Sequence, residues 1–188
     1  MTLPVLLLIL ARGGSRRIPG KNLRTVAGMP LVGNAARIAR LAAARIPDGP
    51  HAIVVSTDDP EIAAEAAAWH AEPLDRPARL ATDEATSADA ARHALDVLAA
   101  GGRRFRAVVL VQPTSPLTDP RDIVRAVEAL DAGRAPRAVS VTRSHPAAWH
   151  VEPLAGPGGG GERLLAGAFY AIAPDRLHAD GRWFDPAD

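Results

Sequence analysis

The sequence predicts a doubly wound α/β fold built on a mostly parallel sheet, and three observations lead there. Short aliphatic runs alternate with helix-length amphipathic stretches along the 188 residues. Runs such as Ala107-Val108-Val109-Leu110-Val111 are apolar throughout, as strands covered on both faces are. Helix starts carry a capping acid followed by proline, at Asp59-Pro60 and again at Asp119-Pro120.

In chain order, Val5 to Leu10 forms the first strand, because six aliphatic residues end abruptly at Arg12-Gly13-Gly14. A helix is predicted over 31–44 and a second strand over 51–56. Thr57-Asp58-Asp59-Pro60-Glu61 then starts a helix over 60–69, with at least one of Asp58 and Asp59 as its cap rather than the two as a catalytic pair. A helix over 88–99, a strand over 106–111 and a helix over 120–132 follow. Strands over 137–142 and 167–172 close the pattern, joined through the flexible run Gly156-Pro157-Gly158-Gly159-Gly160-Gly161. Right-handed crossovers are the expected connections.

Bulk properties narrow the function. A length of 188 residues suits one domain with a real core, and aromatic residues make up only 4%, so the packing is aliphatic. The formal net charge of +1 leaves no basic excess to track a nucleic-acid backbone. No cysteine is present, which excludes disulfides, thiolate metal sites and a cysteine nucleophile. The six histidines share no metal-ligand spacing; His145 and His150, which flank Trp149, are assigned no substrate role. The apolar N-terminus lacks a basic leader and a cleavage pattern, and no run approaches the ~20 residues of a membrane span. A soluble cytoplasmic protein is expected.

The segment after the first strand, Ala11-Arg12-Gly13-Gly14-Ser15-Arg16-Arg17-Ile18-Pro19-Gly20-Lys21-Asn22, carries the chemistry. Glycines let backbone N–H groups approach phosphate oxygens, and cations gather at the C-terminal end of a strand, where open α/β sheets place ligands. A nucleoside triphosphate is the ligand this predicts; a glycine-rich turn with solvated arginines is the bland competitor. The loop is not a Walker A sequence, since Gly14 and Gly20 are separated by five residues and Asn22 stands where a hydroxyl would ligate magnesium. It is not a Rossmann fingerprint either.

Taken together, Ala11-Arg12-Gly13-Gly14-Ser15, Ile18-Pro19-Gly20-Lys21-Asn22 and Gly28-Met29-Pro30-Leu31 resemble the cytidylyltransferases that activate acidic sugars, the acylneuraminate (CMP-sialic acid) synthetases and their relatives. Val54-Val55-Ser56-Thr57-Asp58-Asp59, Arg76-Pro77 with Leu80-Ala81-Thr82-Asp83, Leu110-Val111-Gln112-Pro113-Thr114-Ser115-Pro116 and Val139-Ser140-Val141-Thr142 extend the likeness in order, over roughly residues 5 to 145. The resemblance implies a single-domain, Rossmann-like three-layer α/β/α nucleotidyltransferase fold over 1–188, with 143–165 as a shortened acceptor and dimerisation segment. It implies a CTP-dependent enzyme that transfers CMP to an acidic acceptor and releases pyrophosphate, with Mg²⁺ held largely through the CTP phosphates and a homodimer as the assembly.

Roles follow position by position. Arg12 and Lys21 are the expected catalytic cations on the triphosphate, where attack at the α-phosphorus concentrates negative charge. Gly13, Gly14 and Ser15 complete the cradle; Arg16 and Arg17 either reach phosphate or sit at a solvated tip. The resemblance places Asn22, Arg76 and Ser87 around the base, since cytosine needs an acceptor for its N4 amine and donors for O2 and N3. Arg76 alone would read as a surface ion pair with Asp75 or Asp83. The resemblance also turns Gln112, Thr114 and Ser115 toward the acceptor, with Pro113 and Pro116 stiffening the loop.

Two departures bear on the acceptor and the metal. The connection from Arg143 to Leu165 is short and glycine-rich, Ala166 stands where the family has Asn, and Arg163 is the one nearby cation for an acceptor carboxylate. A compact acid such as a small phosphonate (the phosphonoformate branch of the family) then competes with the sialic or nonulosonic acids. The sequence also reaches Asp188 without the family's two-aspartate magnesium segment; Asp185 and Asp188 do not reproduce its spacing. The metal ligands stay unassigned: CTP with water, another chain, Asp185, or residues of a longer chain. A catalytically weak nucleotide-binding sensor or partner subunit is the alternative function, and a transferase for another base is a third.

Overall fold

A computed structural model describes residues 2–143 and 163–184. Strand β1 (Val5–Leu10) is buried on both faces because it runs through the middle of the sheet, parallel to β4 (Ala52–Thr57) on one side and β6 (Ala107–Val111) on the other. A two-stranded hairpin, β2 (Thr25–Val26) and β3 (Met29–Pro30), leads into α1 (Leu31–Ala43). Helix α2 (Pro60–Ala68) follows β4, and the Asp59 carboxylate accepts from the N–H groups of Glu61 (2.8 Å) and Ile62 (3.1 Å). That is the cap the sequence predicts.

Strand β5 (Glu72–Asp75) pairs parallel with β4 at the sheet edge. The sequence does not announce it: Pro73 interrupts four polar-rich residues, and only Leu74 is buried. Proline is tolerated there because an edge strand needs only half of its hydrogen bonds. Helix α3 (Ser87–Ala100) starts in a capping box between Thr86 and Asp89, and α4 (Pro120–Asp131) is capped by Asp119.

The last strands are β7 (Arg137–Arg143) and β8 (Arg163–Ile172), followed by α5 (Pro174–Asp180). The sheet order is β5-β4-β1-β6-β8-β7. Strand β8 lies antiparallel to both β6 and β7, which leaves β6 and β7 pointing the same way with β8 inserted between them. The expectation of a mostly parallel sheet holds on the β1 side, and the β7–β8 return is the exception. Strand β8 also begins at Arg163 rather than 167, so the C-terminal part of the supposed 143–165 connection is strand. The glycine-rich run, His145 and His150, Asp185 and Asp188 lie outside the described residues.

Alternation along β1 divides the core. Val5, Leu7 and Ile9 pack with α1, α2 and α4 on one face; Leu6 and Leu8 pack with α3, Leu177 of α5 and Trp183 on the other. Three layers result, with helices on both faces.

Helix α5 is tied to α3 by His178, whose Nδ1 lies 3.0 Å from the Pro174 carbonyl and whose Nε2 lies 2.9 Å from Asp96 Oδ1. The Pro174 hydrogen bond first, then Asp96, raises the His178 pKa above its ordinary 6.5, against burial and the nearby Arg92. A raised pKa means the folded state binds the proton more tightly, so the tie stabilises below the ordinary value and fades as pH rises through the elevated one. His178→Gln is expected to flatten the change in urea midpoint between pH 5.5 and pH 8.5; an unaltered slope would show that the pair is idle.

Candidate functional site

At the C-terminal ends of β1, β5 and β6 the loops form a polar pocket. The loop after β1 continues the sheet pattern for one residue, with Ala11 N–H donating to the Ser56 carbonyl at 3.1 Å. It then turns at Gly13, whose N–H donates to Asp58 Oδ1 at 3.1 Å. A Cβ on Gly13 would lie 2.5 Å from Asp59 Oδ2 and 3.0 Å from Asp59 Cβ, so only glycine lets the two loops meet. Gly20 takes φ +61°, the left-handed turn that delivers Lys21 and Asn22 to the pocket.

Seven residues singled out from the sequence line this pocket. Arg12, Lys21 and Asn22 come from the first loop, and Arg76 follows β5. Ser87 opens α3, which sets the positive end of that helix at the pocket. Gln112 and Thr114 come from the loop after β6. The remaining expected residues stand differently. Gly13 has its N–H engaged by Asp58, Ser15 donates its own N–H to the Gly13 carbonyl at 2.9 Å, and Gly14 faces open space. None of the three lines the pocket, nor does Ser115, whose N–H donates to the Gln112 carbonyl. Arg163 sits in β8 opposite Arg143; its side chain lies outside what is described.

Each side chain has its own constraint. Asn22 is 5% exposed and donates through Nδ2 to the Arg12 carbonyl at 2.9 Å, so what it retains for a ligand is chiefly its oxygen, an acceptor. Arg12 donates from Nη1 to the Thr82 carbonyl at 2.6 Å and pairs through Nη2 with Asp83. Arg16 Nε reaches the other oxygen of Asp83 at 2.6 Å. The Arg12 hydrogen bond holds the Asp83 carboxyl below the usual carboxylate range.

Arg76 is not the surface ion pair that the residue alone suggested. It is 6% exposed, donates from Nε to Ser56 Oγ at 3.2 Å, and from Nη2 to the Ser56 carbonyl. Burial, opposed by Asp58 and reinforced by Arg12, lowers its pKa to about 10. It is therefore a cation at neutral pH.

Three residues that sequence reasoning did not assign to the site shape it. Asp83 occupies the Arg12 and Arg16 guanidinium groups; its place in the Leu80-Ala81-Thr82-Asp83 segment was the available signal. Ser56 holds Arg76. Asn34 of α1, 5% exposed, donates to the Pro116 carbonyl at 2.8 Å and anchors the loop bearing Gln112 and Thr114. No local pattern marks Asn34, because its partner is 82 residues away.

Asp83 stands where an anionic ligand on Arg12 would compete with it. Asp83→Asn is expected to tighten binding of such an anion by roughly two- to five-fold, the range of an exposed ion pair. Titration calorimetry with CTP at two salt concentrations checks it; weaker binding would mean that Asp83 itself holds the ligand.

A cleft at the carboxyl ends of parallel strands, with cations rising from a glycine-bearing first loop, defines a nucleotide-handling α/β protein. The profile of the cytidylyltransferase family matches residues 6–148, and the chain belongs to that family. It is 35% identical over 142 residues to N-acylneuraminate cytidylyltransferase A of Danio rerio, covering 76% of this chain and 31% of that protein. It is 39% identical over 128 residues to CMP-N,N'-diacetyllegionaminic acid synthase of Legionella pneumophila, covering 66% of this chain and 52% of that one. The chain thus spans from about a third to about half the length of these curated relatives. Among solved structures, a CMP:2-keto-3-deoxy-manno-octonic acid synthetase complexed with CTP superposes with a TM-score of 0.69 at 18% identity, over 97% of this chain and 79% of that one. That likeness establishes the Rossmann-like nucleotidyltransferase fold.

Proposed function

We propose that this chain transfers CMP from CTP to an acidic acceptor and releases pyrophosphate. The carrying observation is that one pocket gathers the phosphate-type cations Arg12 and Lys21 with the buried Arg76 and Asn22, a pair suited to a nucleobase. An acceptor oxygen attacks the α-phosphorus, the new P–O bond forms, and the bond to the bridging oxygen breaks as pyrophosphate leaves. Arg12 and Lys21 offset the charge that builds on the phosphate oxygens. Cytosine O2 and N3 accept from Arg76, its N4 amine donates to Asn22, and Ser87 at the start of α3 borders the base. Gln112 and Thr114 line the acceptor side.

Among the described residues no group of three or more His, Asp or Glu side chains could hold a metal ion. Mg²⁺ would be held by the triphosphate oxygens and water, where it would offset charge on the departing pyrophosphate. The named relatives act in sialic- and legionaminic-acid chemistry, which supports a nonulosonic acid; a compact phosphonate is the other acceptor class. A homodimer is proposed from the resemblance, and sedimentation measures it. Among the described residues no helix is long and apolar enough to cross a membrane.

Pyrophosphate release from CTP and Mg²⁺ with sialic, legionaminic and octulosonic acids and phosphonoformate tests the reaction. Turnover on any one of them supports it. CTP binding without turnover on any acid would favour the sensor reading instead.

A further inference from the structure

Ser56 is the last buried position but one of β4, 0% exposed, between the buried aliphatic Val54 and Val55 on one side and the buried Thr57 on the other. A hydroxyl in that place needs a partner, and its partner is Arg76. We infer that Ser56 is the positioning residue that aims Arg76 at the nucleobase and so sets the preference for cytosine over uracil. The inference rests on the proposed base-reading role of Arg76 and adds the group that orients it.

The geometry is specific. Ser56 meets the guanidinium twice: Oγ accepts from Nε at 3.2 Å, and the carbonyl accepts from Nη2. Nε and Nη2 share one edge of the planar fork, so that edge is docked on Ser56. Of the five N–H donors, three remain, two on Nη1 and one on Nη2, for the pocket that Arg76 lines. An arginine tied only at its tip could roll about its long side chain; one fixed at Nε cannot turn its plane. The Arg76 backbone is fixed as well, its N–H donating to the Thr57 carbonyl at 2.8 Å.

Ser56 also ties the two halves of the pocket together. Its carbonyl accepts from Ala11 N–H at 3.1 Å, next to Arg12, while β1 and β4 are in register at Leu10 and Ser56. One residue therefore fixes the start of the phosphate-side loop and the plane of the base-side cation. Base choice follows from the fixed plane. Neighbouring O2 and N3 of cytosine both accept, and two donors of a held guanidinium can face them. Uracil presents N3–H there, a donor against a donor, which leaves a buried polar group unpaired. An Arg76 tied only through Nη2 could roll its plane away from N3–H and lose the distinction.

Titration calorimetry of CTP and UTP against wild type, Ser56→Ala, Ser56→Cys and Ser56→Thr tests this without an acceptor acid, with circular dichroism confirming folded protein. Alanine removes the Oγ acceptor on Nε and leaves only the carbonyl bond to Nη2, cysteine keeps the volume with a poor acceptor, and threonine restores the hydroxyl. The expected result is a CTP:UTP affinity ratio at least tenfold smaller in Ser56→Ala and Ser56→Cys, carried by weaker CTP binding, and recovered in Ser56→Thr. An unchanged ratio in Ser56→Ala, or equal losses for CTP and UTP in both Ser56→Ala and Ser56→Cys, would overturn the assignment. A wild-type protein with no preference for CTP would overturn the base-reading role of Arg76 and this inference with it, a result distinct from a selective wild type with unaltered variants.

Discussion

Arg12→Ala is expected to lower the rate of pyrophosphate release by about 10²- to 10³-fold, the cost of removing one preorganised donor from developing negative charge. The fold should survive, because the partners of Arg12 are the Thr82 carbonyl and the half-exposed Asp83 on a surface loop, not core groups. Arg12→Lys is expected to recover only part of the rate: the charge returns, but the planar fork that spans two oxygens does not. Steady-state kinetics with the best acceptor acid, beside thermal unfolding of each variant, reads both effects. A wild-type rate in Arg12→Ala would remove Arg12 from the triphosphate.

Arg76→Ala addresses the other end of the nucleotide. The loss of its donors leaves cytosine O2 and N3 without partners, at a cost of about 1–3 kcal/mol for buried acceptors. The preference for CTP over UTP should therefore fall by roughly tenfold or more, while phosphate binding through Arg12 and Lys21 persists. Stability should fall as well, because the buried Ser56 hydroxyl loses its Arg76 partner, so binding is compared on protein shown to be folded. Competition of CTP and UTP for the same protein, before and after the substitution, measures this directly. Retention of the wild-type preference would mean that another group reads the base.

The two variants probe groups that lie close enough to interact, for Arg12 is one of the charges that lower the Arg76 pKa. A ligand anion on Arg12 relieves that repulsion. Binding at the phosphate side should then help hold the Arg76 charge, and the double variant should lose less than the sum of the two single losses.

Much of the site was legible from sequence because its parts are local. A strand that ends in Arg12-Gly13-Gly14 announces a ligand loop, and Asp59-Pro60 and Asp119-Pro120 announce helix starts, through steric and hydrogen-bonding preferences that act within a few residues. Arg12, Lys21, Asn22, Arg76, Ser87, Gln112 and Thr114 were nameable before any coordinate, and the pocket brings them together. The edge strand β5 and the direction of β8 were not legible. The first has almost no apolar signature, and the second depends on which gap in the sheet the returning chain fills.

By itself the sequence determined the order of strands β1, β4, β6, β7 and β8 and of helices α1 to α4, the family, and seven of the residues that meet at the carboxyl ends of the strands. Only the tertiary structure decided what each of those residues is already bound to. Asp83 is on Arg12, Asp58 is on the Gly13 N–H, and Ser56 is on Arg76, across separations of 71, 45 and 20 residues. Local preferences come from neighbouring atoms in the chain, whereas these pairings come from the register of β1 against β4 and from where the loops land once the core has closed.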